Sequence, residues 1–414
     1  MAHPRTFTML LALSALLVGA ATASAQAPSL ADFDLKPSAS LQPRVDALDA
    51  QLRKSGVQQL LAEANRPATF GEACATPAFA GMTPPAQRYC FDPQDTGPVG
   101  GDDRVEWVPQ GVTTVADAQQ DELWGASQAL LVSWYDKRTE PKKGVRITFL
   151  EPNTKKYRHV LLVYPYTNSK GNPSYEIVGR PQGGIHAGGI LWYGNYLYVA
   201  DTTRGVRVFD MRSIFDLAKS PNGDAKDQKR IGRQDGVYYG FGYRYVMPQV
   251  GAWVNAAGPD NDGTFACKGS GAPKFSYVSI DRSAVPDRLV TGEYCSSKDP
   301  GRVARWPLDG ATGQLMPDPR DGHVHATDVY RLPDHNVQGA VSNGATWYLS
   351  RSHGGSAGQL LLATPDASPQ GSLHLTDSRP AGIGPEDLSF WPSHNEVWTV
   401  TEHAGRRVLY GAPG

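Results

Sequence analysis

From residue 104 to the C-terminus the chain repeats one unit: a strand-length apolar run, a tight turn, a second run, a short turn and a third run. The clearest copy is Gly184-Ile-His-Ala-Gly-Gly-Ile-Leu-Trp-Tyr193, the turn Gly194-Asn195, then Tyr196-Leu-Tyr-Val-Ala-Asp201, Thr202-Thr-Arg-Gly205 and Val206-Arg-Val-Phe-Asp210. A Gly-Asn dipeptide suits the positive φ of a two-residue hairpin turn. The same order recurs from Gln110, Lys274, Gln338 and Glu386, giving five units, with fourth strands visible at residues 174–179 and 327–332. Repeated four-stranded meanders stacked radially make a propeller. The expectation is therefore an all-β chain folded as a five-bladed β-propeller. The alternative count is six, with a diverged blade inside residues 212–272. The last unit stops after its third strand, so residues 104–108 are expected to complete it and leave no open edge.

Upstream of the repeats the texture differs. Residues 1–25 have the layout of a secretory signal peptide: Arg5, the apolar run from Met9 to Ala20, and Ala23-Ser24-Ala25 as the cleavage site. That run is too short to span a bilayer, and no later stretch is apolar enough to insert. Residues 26–103 read as an N-terminal extension, and residues 104–414 as the propeller domain. Within the extension, Val45, Leu48, Leu52, Val57, Leu60 and Leu61 have helical spacing, with a break at Gly56. A Pro/Gly/Ala-rich loop follows. Four cysteines in an exported chain imply two disulfides. Cys74–Cys90 and Cys267–Cys295 close the shortest loops, although spacing alone does not fix the pairing. The formal charge is -1 and falls to -2 once Arg5 is removed with the signal, which excludes the basic footprint of a nucleic-acid binder. The expected product is a secreted, extracellular or periplasmic monomer whose partner is a small molecule or a glycan.

In such a ring the innermost strands start at one rim of the axis, and each turn between second and third strands returns to that rim. Strand starts place Gln110, His186, the Lys274–Ser276 region, Gln338, Glu386 and Asp387 at one mouth. Turns add Asp201, Arg204, Tyr294, Arg351, His353 and Glu402. His186, Glu386 and Asp201 are the candidate catalytic groups. Gln110, Gln338, Asp387, Arg351, His353, Tyr294 and Glu402 are candidate ligand contacts. His186 lies among Gly184, Gly188 and Gly189, where backbone can approach a ligand closely. Trp107, Trp134, Tyr135, Trp192 and Tyr294 are candidate stacking surfaces for sugar rings. His323 and His325 form an H-x-H pair whose rings share a face on a strand, but no residue is assigned as a metal ligand.

Val199-Ala-Asp-Thr-Thr-Arg-Gly-Val-Arg-Val-Phe209 and Pro385-Glu-Asp-Leu-Ser-Phe390 resemble the blades of the broad NHL, regucalcin and strictosidine-synthase-like class of secreted propellers. The resemblance implies an axial divalent cation such as Ca2+, with Glu386 and Asp387 at the matching positions. Gln110 and Gln338 stand where further Asn or Asp is expected. Three functions follow as expectations. The first is a carbohydrate-active hydrolase or lyase on an extracellular glycan: a hydrolase needs paired carboxylates, and a lyase needs a base such as His186 with Arg351 to stabilise developing charge. The second is a non-catalytic glycan- or protein-binding propeller, consistent with the lack of G-x-S-x-G, H-E-x-x-H or P-loop motifs. The third is a cation-dependent esterase or lactonase.

Overall fold

The computed structural model describes residues 1, 27–96, 106–138, 142–179, 184–260, 264, 266–296 and 299–414; the signal segment lies outside them. The chain is all-β. The described strands form five antiparallel meanders. The first comprises Trp107–Thr114, Leu130–Asp136, Val145–Glu151 and Lys156–Thr167. The second comprises Ile190–Tyr193, Tyr196–Asp201, Gly205–Asp210 and the outer half of Tyr245–Asn255. The third comprises Tyr277–Asp281, Arg288–Gly292, Arg302–Asp309 and Asp328–Arg331. The fourth comprises Val337–Asn343, Thr346–His353, Ser356–Pro365 and Gln370–Ile383. The fifth comprises Ser389–Trp391, Glu396–Val400 and Leu409–Pro413, closed by Arg88–Cys90.

The first strand of each meander touches the next in cyclic order. Ser133 Oγ on the first meander donates to Ala187 O at the entry to the second. A Cβ on Gly189 would fall 2.2 Å from Val278 N on the third. Ser279 Oγ donates to Ala340 O on the fourth, and Ser350 Oγ donates to Glu386 O on the fifth. Ser389 Oγ returns to Thr114 Oγ1 at 3.1 Å. This cyclic arrangement fits a β-propeller. Its apolar cores lie between neighbouring meanders: Trp134, Trp192 and Trp391 share one cluster, Trp306 and Leu191 a second, and Trp347 and Tyr277 a third.

Three expectations need correction. The strand that completes the fifth meander is Arg88–Cys90, with Leu409 opposite Tyr89 and Tyr410 opposite Arg88, and not residues 104–108. Trp107 and Val108 instead pair with Asp136 and Tyr135 in the first meander. Cys90 of the closing strand is disulfide-bonded to Cys74; of residues 104–108, 104 and 105 lie outside the described residues. Residues 174–179 are not a fourth strand: Pro173–Ile177 lies outside Lys156–Thr167, which fills that position. Among the described residues, 212–272 form no further four-stranded meander. They hold a small sheet of Gly223–Asp224, Ile231–Gln234 and Val237–Gly240 before the chain returns to the second meander.

The N-terminal segment is a belt rather than an appendage. Its helices Gln42–Asp49 and Val57–Ala62 appear where the spacing placed them, with Gly56 extended at the start of the second. Val45, Leu48 and Leu52 pack on Leu161, Val163 and Phe215. Leu35–Pro37 extends the second meander, and Arg66–Pro67 the first. The H-x-H pair serves this belt: His325 Nδ1 faces Asp34 Oδ1 at 2.8 Å and Nε2 faces Asp321 Oδ2 at 3.1 Å. Both nitrogens of His325 are thus engaged, and the pair does not form a chelate.

Cys74 and Cys90 are bonded across a separation of 16 residues, as are Cys267 and Cys295 across 28. Cys90 sits in the closing strand itself. Replacing Cys74 and Cys90 by Ser should lower stability by about 3 kcal/mol, the loop-closure value for a cross-link of this span. Amide exchange of Leu409–Pro413 should accelerate in that variant. It should not change when Cys267 and Cys295 are replaced instead.

Candidate functional site

All five inner strands run in the same direction, so their first residues meet at one mouth. Gln110 and Gln338 arrive there from the first and fourth meanders, and Glu386 and Asp387 precede the first strand of the fifth. Adjacent residues of extended chain point opposite ways. Asp387 turns into the ring, where its Oδ2 accepts the N–H of Val112 at 3.2 Å and of Ile190 at 3.0 Å. Glu386 faces Gln338, whose Nε2 donates to Glu386 Oε1 at 3.2 Å. Gln110 makes the equivalent contact with Glu402: its Nε2 donates to Glu402 Oε2 at 3.2 Å and to Pro109 O at 2.9 Å.

The mouth opens into a cavity of about 470 Å³, within the usual range for small-ligand sites. Gln110, His186, Asp201, Tyr294 and Gln338 line it, together with Ser276 and Thr202. Glu386 lies one hydrogen bond behind Gln338, whereas Glu402, the partner of Gln110, stays partly exposed. Glu386 is only 1% exposed. Burial raises its pKa well above the ordinary carboxylate value, and the charges of Glu402 and Asp387 push the same way.

The other candidates separate clearly. His186 stacks on Tyr135 with ring centroids 4.4 Å apart. Desolvation at the crowded rim, and then Lys142, lower its pKa below the usual histidine value, although the ring keeps solvent-exposed surface. Tyr294 is half-buried, and burial followed by the charges of Glu386 and Glu402 raises its phenol. Asp201 is buried in an ion pair with Arg207, at 2.7 Å, and Arg207 also donates to Gln249 at 2.9 Å. Arg351 is held by Asp334 at 3.0 Å and donates to His335 O and to Gln359, and His353 lies exposed on the next turn. Neither of these two lines the cavity.

Some expectations about the walls fail for reasons of packing. Trp134 and Trp192 are fully buried and Trp107 nearly so, leaving Tyr135 and Tyr294 as the aromatics at the mouth. Gly188 and Gly189 do not clear space for a ligand. A Cβ on Gly188 would lie 2.1 Å from Ser276 O, so these glycines let the second and third inner strands approach. Residues the repeat did not mark include Asp260, which lies in the long insertion and pairs with buried Lys274 at 2.8 Å. The Thr202-Thr203 turn was visible in sequence, but its contribution to the cavity wall was not.

Each axial carboxylate already has one oxygen committed to a hydrogen bond, which a cation would have to share or displace. Asp387 Oδ2 is committed to two backbone N–H groups, and both glutamines point amide N–H groups at the neighbouring carboxylates. Among the described residues one group has metal-ligand spacing: Cys267, Glu293 and Cys295. Its sulfurs are joined in the disulfide, and Glu293 is bound by Arg302 at 2.8 Å.

No protein-family model and no curated relative matches this chain. Solved structures with a detectable likeness include a gluconolactonase from Xanthomonas campestris, at 12% identity and a TM-score of 0.32, covering 84% of this chain and 88% of that one. Hydrazine synthase from Kuenenia stuttgartiensis gives 13% identity and a TM-score of 0.32, with 76% and 97% covered. The WD40 repeats of RRP9 give 10% identity and a TM-score of 0.28, with 76% and 96% covered. Likeness this remote carries no argument about what the chain does.

Proposed function

We propose that the chain is an exported five-bladed β-propeller that binds a hydroxylated small molecule, or the end of a glycan, in its axial cavity without covalent chemistry. Residues 1–25 direct export in this reading, and the two disulfides suit an oxidising compartment. Among the described residues no helix is long and apolar enough to cross a membrane. The observation that carries the binding role is the placement of amides over carboxylates. Gln110 and Gln338 face the cavity, while Glu402 and Glu386 accept their amide hydrogens and fix their orientation. Gln110 spends both Nε2 hydrogens on protein acceptors, so it presents its carbonyl oxygen to a hydroxyl. His186 and Tyr294 supply a neutral ring and a phenol beside it.

A second reading, a glycan hydrolase, is favoured by the upward shift that burial gives the Glu386 carboxyl, the direction that suits a general acid. It requires a substrate to reach a nearly inaccessible carboxyl. A lyase has less support, since Arg351 is engaged by Asp334 away from the cavity. A cation-dependent lactonase would have to work with Asp387 Oδ2 already committed to two backbone N–H groups.

The readings separate on a glycan array followed by calorimetry. Under the binding reading, Gln110→Ala and Gln338→Ala each weaken affinity for the retained glycan by about tenfold, the size of one lost hydrogen bond in a buried site. The Glu386→Gln chain binds about as well as wild type. Release of reducing ends by wild type and its loss in Glu386→Gln would establish the hydrolase instead. Absence of any retained glycan would remove the binding reading.

The same variant has a stability signature. The raised pKa of Glu386 means that the folded state binds its proton more tightly than the unfolded chain does. The contribution is fully present below pH 4.5, the unfolded value, and is lost as pH rises through the folded one. Glu386→Gln should therefore melt at a higher temperature than wild type in alkaline buffer, with the gap closing below pH 4.5. A pH series of thermal melts measures it.

A further inference from the structure

Because the inner strands share one direction, their last residues gather at a second mouth on the opposite face. A separate cavity of about 340 Å³ opens there. Its wall includes Asp117, which follows the first inner strand, Ile280 and Arg282 from the third, Ser342 from the fourth and Phe390 from the fifth. None of these residues belongs to the site at the first mouth.

Two polar atoms in this wall are shielded from solvent and have no hydrogen-bond partner in the protein: Ser342 Oγ and Arg282 Nε. Ser342 is only 3% exposed. Buried polar groups are almost always satisfied, so two such atoms on one cavity point to a ligand. The nearby carboxylates are in a different position, because they are already engaged. Asp117 Oδ2 accepts from Thr113 Oγ1 at 2.7 Å, Ser389 Oγ at 2.6 Å and the N–H of Thr114 at 3.2 Å. Glu122 accepts Trp391 Nε1 at 2.7 Å and the N–H of Ser393 at 2.9 Å. Asp287 accepts Tyr193 OH at 2.7 Å and lies 4.0 Å from Arg282.

Arg282 Nε–H can only donate and the Ser342 hydroxyl can donate as well, so an acceptor on the ligand suits both. Charge then narrows its class. An anion would face three carboxylates with a single guanidinium to offset them, whereas a neutral acceptor avoids that repulsion. Ile280, Phe390 and Ala116 supply apolar surface for the rest of the molecule. We propose that this opposite mouth is a second binding site, for a compact neutral molecule of the amide or lactam class. Its carbonyl oxygen accepts from Ser342 Oγ–H and Arg282 Nε–H, and its hydrocarbon body rests on Ile280 and Phe390. This site does not depend on what the first mouth binds.

The test is a titration of the full chain with 2-piperidone, a neutral lactam, and in parallel with pentanoate, an anion of similar size, read on the Ile280 methyl resonance. The lactam is expected to shift that resonance saturably and pentanoate to leave it in place. Ser342→Ala removes a hydroxyl without a protein partner, so the chain should keep its fold while its lactam affinity falls about fivefold. Arg282→Lys keeps the charge but withdraws the Nε donor, and should weaken lactam binding as well. An Ile280 resonance that the lactam does not move, or lactam affinity unchanged in both variants, would overturn the site. A stronger response to pentanoate would overturn the neutral class of ligand.

Discussion

One carboxylate oxygen, Oδ2 of Asp387, joins three meanders at the axis by accepting N–H groups from Val112 and Ile190. The need for it follows from the geometry of a ring. Inner strands converge, and their edge amides face neighbours with which they form no continuous ladder, yet water cannot serve groups so deeply buried. Side-chain acceptors and donors take over: Asp387 from the fifth meander, Ser133 from the first, Ser279 from the third and Ser350 from the fourth. The approach is close enough that Gly111 and Gly339 cannot carry a side chain. A Cβ would meet Ile190 N at 2.7 Å in one case and Asp387 Cα at 2.7 Å in the other. Asp387 remains costly, since its Oδ1 is buried without a protein partner and burial drives its pKa upward.

The same ring explains the belt. A cyclic stack holds only while its last meander is complete, and here the completing strand arrives from residues 88–90, far from the C-terminus in sequence. Phe79 and Tyr410 pack edge to face over that junction at 5.1 Å, and the Cys74–Cys90 bond fixes the strand beneath them. Upstream, the belt adds short strands to the first and second meanders. The order of attachment lets one segment cover outer edges that would otherwise offer unpaired amides to other chains.

At the first mouth, the strand starts carry polar groups around the cavity. The result is layered. Gln110 and Gln338 line the cavity, Glu386 is buried behind Gln338, and Asp387 is buried against its backbone partners. Burial, and then the charges of Glu402 and Asp387, raise the pKa of Glu386 there.

Much of this was legible in the residues. The alternation of apolar runs and turn dipeptides determined the all-β class and the order of strands within each meander, because side-chain period and turn chemistry are local. The strand starts determined which residues approach one mouth, so Gln110, Gln338 and Glu386 could be named together. The helices of the belt and their break at Gly56 were also local signals. What depended on packing was not readable. That residues 88–90 close the ring follows from a pairing with Leu409 and Tyr410 that is distant in sequence and carries no local signal. Asp201 and Arg351 looked available, but Arg207 and Asp334 lie where only the folded chain brings them. Trp107, Trp134 and Trp192 looked like ligand platforms until neighbouring meanders covered them. The sequence determined the elements and the face each residue occupies. The tertiary structure decided which polar groups remain unspent, because that depends on partners contributed by distant meanders.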